Sequence, residues 1–243
     1  MSTHHQTSVV SRQALASYLD SFLNVSAFKD YAPNGLQVEG KSDIRTIVTG
    51  VTACQALIDA AINEPEVITG MKYRRIKALI ENDISLFGFH LPLDAHHGVG
   101  NNAQLAQQLG IISPRVYEQV AQDLLWHGHL EHPMTVAEFS ELLNTVLNRK
   151  PLHIGDETKM ISTLAWCTGG AQDYIDHAAQ MGVDAFISGE VSERTFHTAI
   201  EQGLHYFAAG HHATELFGIQ ALGDHLAEKY NIEHHFIDIV NPV

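Results

Sequence analysis

Between Ser11 and Leu23 apolar residues return every three or four positions, at Leu15, Tyr18, Leu19 and Phe22, and this spacing predicts a helix. Asp30 to Gly40 is broken by Pro33, Asn34-Gly35 and Gly40, which predicts a loop with a tight turn. Ile44 to Val51 is a β-branched run that meets Gly50 and reads as a buried strand, and Ala53 to Ile62 returns to helical spacing. The second half repeats this theme more fully. Leu164 to Gly170 ends a strand, Asp173 to Met181 is a helix, and Gly182 to Ile187 supplies the next strand. The first half has the matching Thr49-Gly50 and a matching helix containing Ile58-Asp59-Ala60-Ala61. It has no counterpart of Val183 to Ile187: Asn63-Glu64-Pro65-Glu66 leads almost directly to Gly70 and a basic helix, Met71 to Glu81.

Further along, Ile84 to Leu91 predicts a strand, and Asn101-Asn102 lead into a short helix, Ala103 to Leu109, closed by Gly110. Arg115 to Pro133 reads as irregular, with His127, His129 and His132 crowded into it. Thr135 and Glu138 fit a capping box that opens a helix to about Leu147. A helix around Thr195 to Ile200, a buried strand at Leu204 to Ala209, a helix from Leu216 to Tyr230 and a last strand from Ile232 to Val240 complete the pattern. Such alternation predicts an α/β fold: two similar lobes of mainly parallel or mixed sheet flanked by helices. The expected lobes are residues 1–125 and 126–243, the last strand being a candidate to return to the first.

Bulk properties narrow the function classes. At 243 residues, 45% apolar and 17% charged, the chain has the make-up of an ordinary globular protein. A formal net charge of −14 argues against a general binder of nucleic-acid backbones. Two cysteines, Cys54 and Cys167, are too few for a disulfide framework and point to a reducing compartment. Met1 to Gln6 has no basic segment followed by an apolar one, and no apolar run reaches the ~18–20 residues of a membrane span. A cytoplasmic protein with no membrane partner is the expectation. Seventeen histidines are the compositional outlier.

Some of those histidines stand where chemistry is expected. Gly210-His211-His212-Ala213-Thr214-Glu215 follows the apolar strand and opens the last long helix, so it lies at a strand's C-terminal edge, where open α/β sheets bind ligands. His211 and Glu215 are four apart and share a helix face, which lets one metal ion touch both. His90-Leu91-Pro92-Leu93-Asp94-Ala95-His96 ends another strand with the same donor types, and Pro92 suggests a loop there. Mixed imidazole and carboxylate donors suit zinc, manganese, iron or nickel without choosing among them. Either pair alone also reads as a solvated or merely structural contact; two pairs at separate strand ends favour a metal site. His96 and His97 are candidates to orient a carboxylate, or are plain loop residues. Gly189-Glu190, with His197, follows another strand; Glu190 is a candidate general base or a partner of a metal ligand, or simply a helix-initiating carboxylate. Cys167 reads as a small buried hydrophobe. Lys72, Arg74, Arg75 and Lys77 read as a solvated helix face before a phosphate contact. There is no Gly-x-Gly-x-x-Gly after the first strand, no P-loop and no Gly-x-Ser-x-Gly.

Four stretches together carry a resemblance: Tyr31-Ala-Pro-Asn-Gly-Leu-Gln-Val-Glu-Gly40, His90 to His96 with Asn101-Asn102, Asp184-Ala-Phe-Ile-Ser-Gly-Glu190, and Gly210 to Glu215. From about Ala14 to Pro242 the chain resembles the GTP cyclohydrolase 1 type 2 homologues, dinuclear-metal-centre proteins of the Ngg-interacting-factor type. The resemblance implies two divalent ions per chain, held by a His-His pair, an Asp matching Asp94, and a His and Glu matching His211 and Glu215. It also implies a metal-dependent hydrolase acting on a small molecule, with GTP and opening of its imidazole ring suggested by the family name, and a homohexameric ring. Glu190 or His90 would be the proton donor, hence the catalytic candidates. The family's His-His pair belongs between Asn63 and Glu64, and this chain lacks it. Rival readings are a metal-dependent phosphodiesterase or other hydrolase, and a non-catalytic metal-binding or interaction protein.

Overall fold

The computed structural model describes residues 8–52 and 71–243. The helix expected over Ala53 to Ile62, and the break between Asn63 and Glu64, lie outside the described residues. In chain order the strands are β1 Val10–Ser11, β2 Gly35–Val38, β3 Asp43–Ile44, β4 Thr46–Thr49, β5 Leu86–Gly88, β6 Ile112–Val116, β7 Trp126–Met134, β8 Leu152–Ile154, β9 Ile161–Cys167, β10 Ala185–Ser188, β11 His205–Ala208 and β12 Glu233–Phe236. The helices are α1 Arg12–Phe22, α2 Met71–Glu81, α3 Leu91–Ala95, α4 Asn101–Gln108, α5 Val136–Leu147, α6 Ile175–Met181, α7 Glu193–Gln202 and α8 His211–Tyr230. The chain parts into two compact units. One holds residues 1–93 and 219–240, the other residues 94–218 and 241–243. Among the described residues no helix is long and apolar enough to cross a membrane.

The second unit is built on a six-stranded mixed sheet in the order β6-β7-β9-β10-β11-β8. Its centre, β9-β10-β11, is parallel, and the remaining pairings are antiparallel. All four residues of β10 and all four of β11 are buried, as an apolar parallel centre requires. Trp126, Phe139, Leu143, Leu164, Trp166, Ile187 and Phe207 pack as one core, with the Phe139 ring edge-on to Phe207 at 5.1 Å. α5 is started by the expected capping box, Thr135 accepting from the Glu138 N–H while Glu138 accepts from the Thr135 N–H. It buries Val136, Phe139, Leu143 and Leu147, a helical stripe, against that sheet.

The first unit uses short pairings. β12 runs parallel to β4, β1 pairs antiparallel with β3, and β2 antiparallel with β5. α1 begins at Ser11, whose side chain accepts from the Ala14 N–H, and buries Leu15, Ala16 and Leu19.

Three expectations are corrected. The stretch expected to be irregular, Arg115 to Pro133, contains the nine-residue β7, lying between β6 and β9. Trp126 and Leu130 point into the core and hold the strand, while His129 and His132 stay exposed. Pro92 does not make a loop: it stands in the first turn of α3, where its missing N–H has no helical partner to lose. The last strand is shorter than expected: Glu233 to Phe236 pair with β4, and the ladder closes with the Ile237 N–H on the carbonyl of Thr49, where β4 ends.

Candidate metal and acid–base sites

In the second unit the three parallel strands stop level with one another, Ser188 pairing with both Cys167 and Ala208. Just beyond, backbone hydrogen bonds continue from loop to loop: Gly189 N–H donates to Gly169 O at 2.8 Å, and Gly210 N–H to Gly189 O at 2.9 Å. This glycine shelf brings His211, the first residue of α8, over the sheet edge. A Cβ on Gly169 would lie 2.6 Å from Glu215 Oε1 and 3.1 Å from His211 Nε2, so the missing side chain leaves space against both donors. Thr214 is fully buried, accepts from the Gly169 N–H at 3.1 Å and donates to the His211 carbonyl at 3.0 Å. It ties the first turn of α8 to the shelf.

His211 lies between two carboxylates. Its Nδ1 is 2.6 Å from Glu190 Oε1 and its Nε2 is 3.2 Å from Glu215 Oε1. The Glu215 hydrogen bond raises its pKa most; burial opposes this and Glu190 adds to it, and the result is about 9. At neutral pH the ring is therefore a cation donating to both carboxylates. Asp94, only 7% exposed, accepts from Asn101 Nδ2 at 2.7 Å, and Asn102 Nδ2 donates to the Asp94 carbonyl at 3.1 Å. The buried thiol of Cys167 is pushed well above its ordinary pKa by burial first, then by the negative charges of Asp94 and Glu215. One thiol thus feels both carboxylates, and it is kept neutral and unreactive.

The other candidates fall elsewhere. His96 Nδ1 accepts from the Gly98 and Val99 N–H groups, each at 3.1 Å, and so closes a turn. His97 is exposed and 3.3 Å from Asp123. His212 is buried and its N–H donates to the Val243 carbonyl. His197 lies exposed on α7. His90 belongs to the first unit, where its Nδ1 is 2.9 Å from Asp30 Oδ1. Burial alone would raise the Asp30 carboxyl, but hydrogen bonds from Asn34, His90 and the Ala32 and Leu91 N–H groups outweigh it and bring it to about 2.

His211 Nε2 and Glu215 Oε1 fit a divalent ion in donor type and in separation, since one ion ~2.0–2.2 Å from each could bridge a 3.2 Å gap. The glycine-cleared space fits as well. Among the described residues no group of three or more His, Cys, Asp or Glu side chains is gathered into a ready cage for an ion. Among the described residues, His211 and Glu215 offer their donors to one ion.

The fold and this strand-edge cluster define an α/β protein with a His–Glu pair at the C-terminal edge of a parallel sheet. The family comparison is specific: the profile of DUF34/NIF3 (NGG1p interacting factor 3) matches residues 10–68 and 63–242, and the chain belongs to that family. A GTP cyclohydrolase 1 type 2 homolog of Vibrio cholerae is 53% identical, covering 94% of this chain and 98% of its own. That of Escherichia coli K12 is 50% identical, with the same coverage. The solved structure of protein ybgI, of unknown function, superposes with a TM-score of 0.88 at 48% identity, covering 96% of this chain and 100% of its own. TTHA1606 from Thermus thermophilus superposes with a TM-score of 0.83 at 28% identity, again over 96% and 100%. The two spans of the family match meet where the strand pattern breaks. The Vibrio alignment runs over 247 positions while using 94% of a 243-residue chain, so it contains positions at which this chain has no residue.

Proposed function

We propose that the chain is a metal-dependent hydrolase of a small molecule, with Asp94, His211 and Glu215 as its metal ligands. The observation that carries this reading is His211, set between Glu190 and Glu215 over a shelf with no side chains. A carboxylate on Nδ1 turns Nε2 toward an ion and raises its basicity, the carboxylate–histidine–metal arrangement. Glu190 does this for His211. Asn101 fixes the carboxylate of Asp94, and Asn102 its backbone. A bound divalent ion would supply the Lewis acidity that activates a water. Before an ion can bind, His211 must release the proton it shares with Glu215. GTP is the first substrate to test, on the strength of the relatives' name alone. A ring of six copies and a cytoplasmic setting belong to the same proposal.

A second reading has its own observation. The alignments hold positions this chain lacks, and the family match divides within residues 63–68, where the resemblance places the His-His pair. On that reading the protein holds one ion and is not a dinuclear hydrolase. Metal analysis of the purified protein separates the two. Two ions per chain with turnover of GTP or a generic phosphodiester support the hydrolase, one ion without turnover supports the second reading, and no ion defeats both.

A further inference from the structure

Two histidines of the second unit, outside the cluster around His211, meet ring to ring. His205 begins β11, and the glycine shelf lies past the other end of that strand. His153 is the middle residue of β8, the outer strand of the sheet, which runs antiparallel to β11 and sets His153 opposite Phe207. His153 Nε2 is 3.1 Å from His205 Nδ1. Packing holds both rings: that of His153 lies 4.8 Å from the Phe207 ring and 5.3 Å from that of His205, which is 2% exposed. Among the described residues His205 Nε2 is buried without a hydrogen-bond partner, so Nδ1 is the polar outlet of that ring. Gly155 follows β8 at a φ of +142°, and a Cβ on it would lie 2.7 Å from His205 Nδ1 and 3.2 Å from His153 Nε2. Its missing side chain leaves room at both nitrogens.

Burial holds both imidazoles below their ordinary pKa of 6.5, so at neutral pH the two rings are uncharged. Two uncharged rings can place only one proton between the facing nitrogens. The other nitrogen offers a lone pair, and an ion can take the place of the shared proton. An ion ~2.0–2.1 Å from each nitrogen would span the 3.1 Å gap with an angle of about 100° at the metal, which suits four or six ligands. The surrounding charges favour a cation: Asp156 and Asp184 act on His205 and Glu157 acts on His153, while Lys159 opposes them. We infer that His153 and His205 hold a divalent ion of the kind imidazole prefers, zinc, nickel or copper, with water completing its shell. Such an ion would pin the outer strand β8 to β11. The site stands on its own residues and does not depend on the hydrolase reading.

Cobalt(II), a paramagnetic substitute for zinc, is the probe. Added to the ¹⁵N-labelled full chain near neutral pH, it should broaden the amide signals of residues 152–156 and 204–206. The same broadening should appear in Glu215→Ala, which lacks a donor of the His211 pair, so the two sites are told apart. His153→Gln should lose it, and equilibrium dialysis with zinc should count one ion fewer per chain in that variant than in the wild type. Zinc should also raise the Tm of Glu215→Ala and leave that of Glu215→Ala with His153→Gln unmoved. Broadening that spares residues 152–156 and 204–206 overturns the site, as do equal ion counts with and without His153. The broadening map of the wild type needs no change to the pair, so it decides the matter even where a variant fails to fold.

Discussion

His211 and His90 are both held at Nδ1 by a carboxylate at hydrogen-bond distance, 2.6 Å to Glu190 and 2.9 Å to Asp30, yet their second nitrogens meet opposite surroundings. Nε2 of His211 faces another carboxylate, Glu215, so the ring is a cation at neutral pH and an ion can replace its proton. Nε2 of His90 takes no hydrogen bond among the described residues. The first arrangement sets the ring between two carboxylates and the second sets it against one. The difference lies in what stands opposite the second nitrogen, which residue type and first partner do not reveal.

The largest effect should come from removing that opposing group. Glu215→Ala is expected to abolish binding of at least one ion and to reduce turnover to background, as read by metal analysis and a hydrolysis assay. Unchanged metal stoichiometry would show that Glu215 is not a ligand. Next is Gly189→Ala, whose Cβ would lie 2.6 Å from both Gly169 O and His211 Cα, neither of which can swing away. A cost of about 3 kcal/mol and a Tm drop of roughly 6–10 °C are expected; an unshifted Tm would mean the shelf is free to move. Glu190→Gln keeps shape and loses charge, and should weaken metal affinity ~10–100-fold without unfolding the protein. Equal affinity in a titration would remove Glu190 from the site.

Protons offer a finer probe. Because His211 is held at about 9, metal binding at neutral pH should release close to one proton for that ligand, measurable by calorimetry in buffers of differing ionisation enthalpy. Release that does not vary with buffer would mean His211 is neutral before the ion arrives.

The smallest effect concerns histidines that face each other instead of a carboxylate. His153 Nε2 and His205 Nδ1 are 3.1 Å apart across β8 and β11. Burial lowers both pKa values from 6.5, the mutual repulsion adding to this for His153 and Lys159 for His205. The unfolded chain therefore takes up more protons than the folded one as pH falls below 6.5, and stability falls with it. Urea midpoints at pH 7.5 and 5.5 should show the loss, and His153→Asn should flatten it. An unchanged slope in the variant would trace the loss to another group.

Much of the fold was legible wherever neighbours in sequence decide the outcome. Thr135 and Glu138 announce α5 because a capping box needs only an i, i+3 pair, and His211 and Glu215 share a face because a helix puts i and i+4 together. Legibility fails where the deciding partner is distant. Asp30 and His90 are 60 residues apart, and Gly169 meets the first turn of α8 across 45. No periodicity connects such pairs. β7 was hidden for a related reason: its histidines mask the alternation of Trp126, Gly128 and Leu130, and its pairing with β6 and β9 is what makes it a strand.

The glycine shelf also bears on how this protein can change. Gly169 and Gly189 touch the donors and one another so closely that any side chain there displaces the site. The floor of the site can therefore record no adaptation to a new ligand. Whatever distinguishes one relative's preference from another's must be written in the walls, and a scan of all substitutions should find these two positions intolerant of change beneath a variable rim.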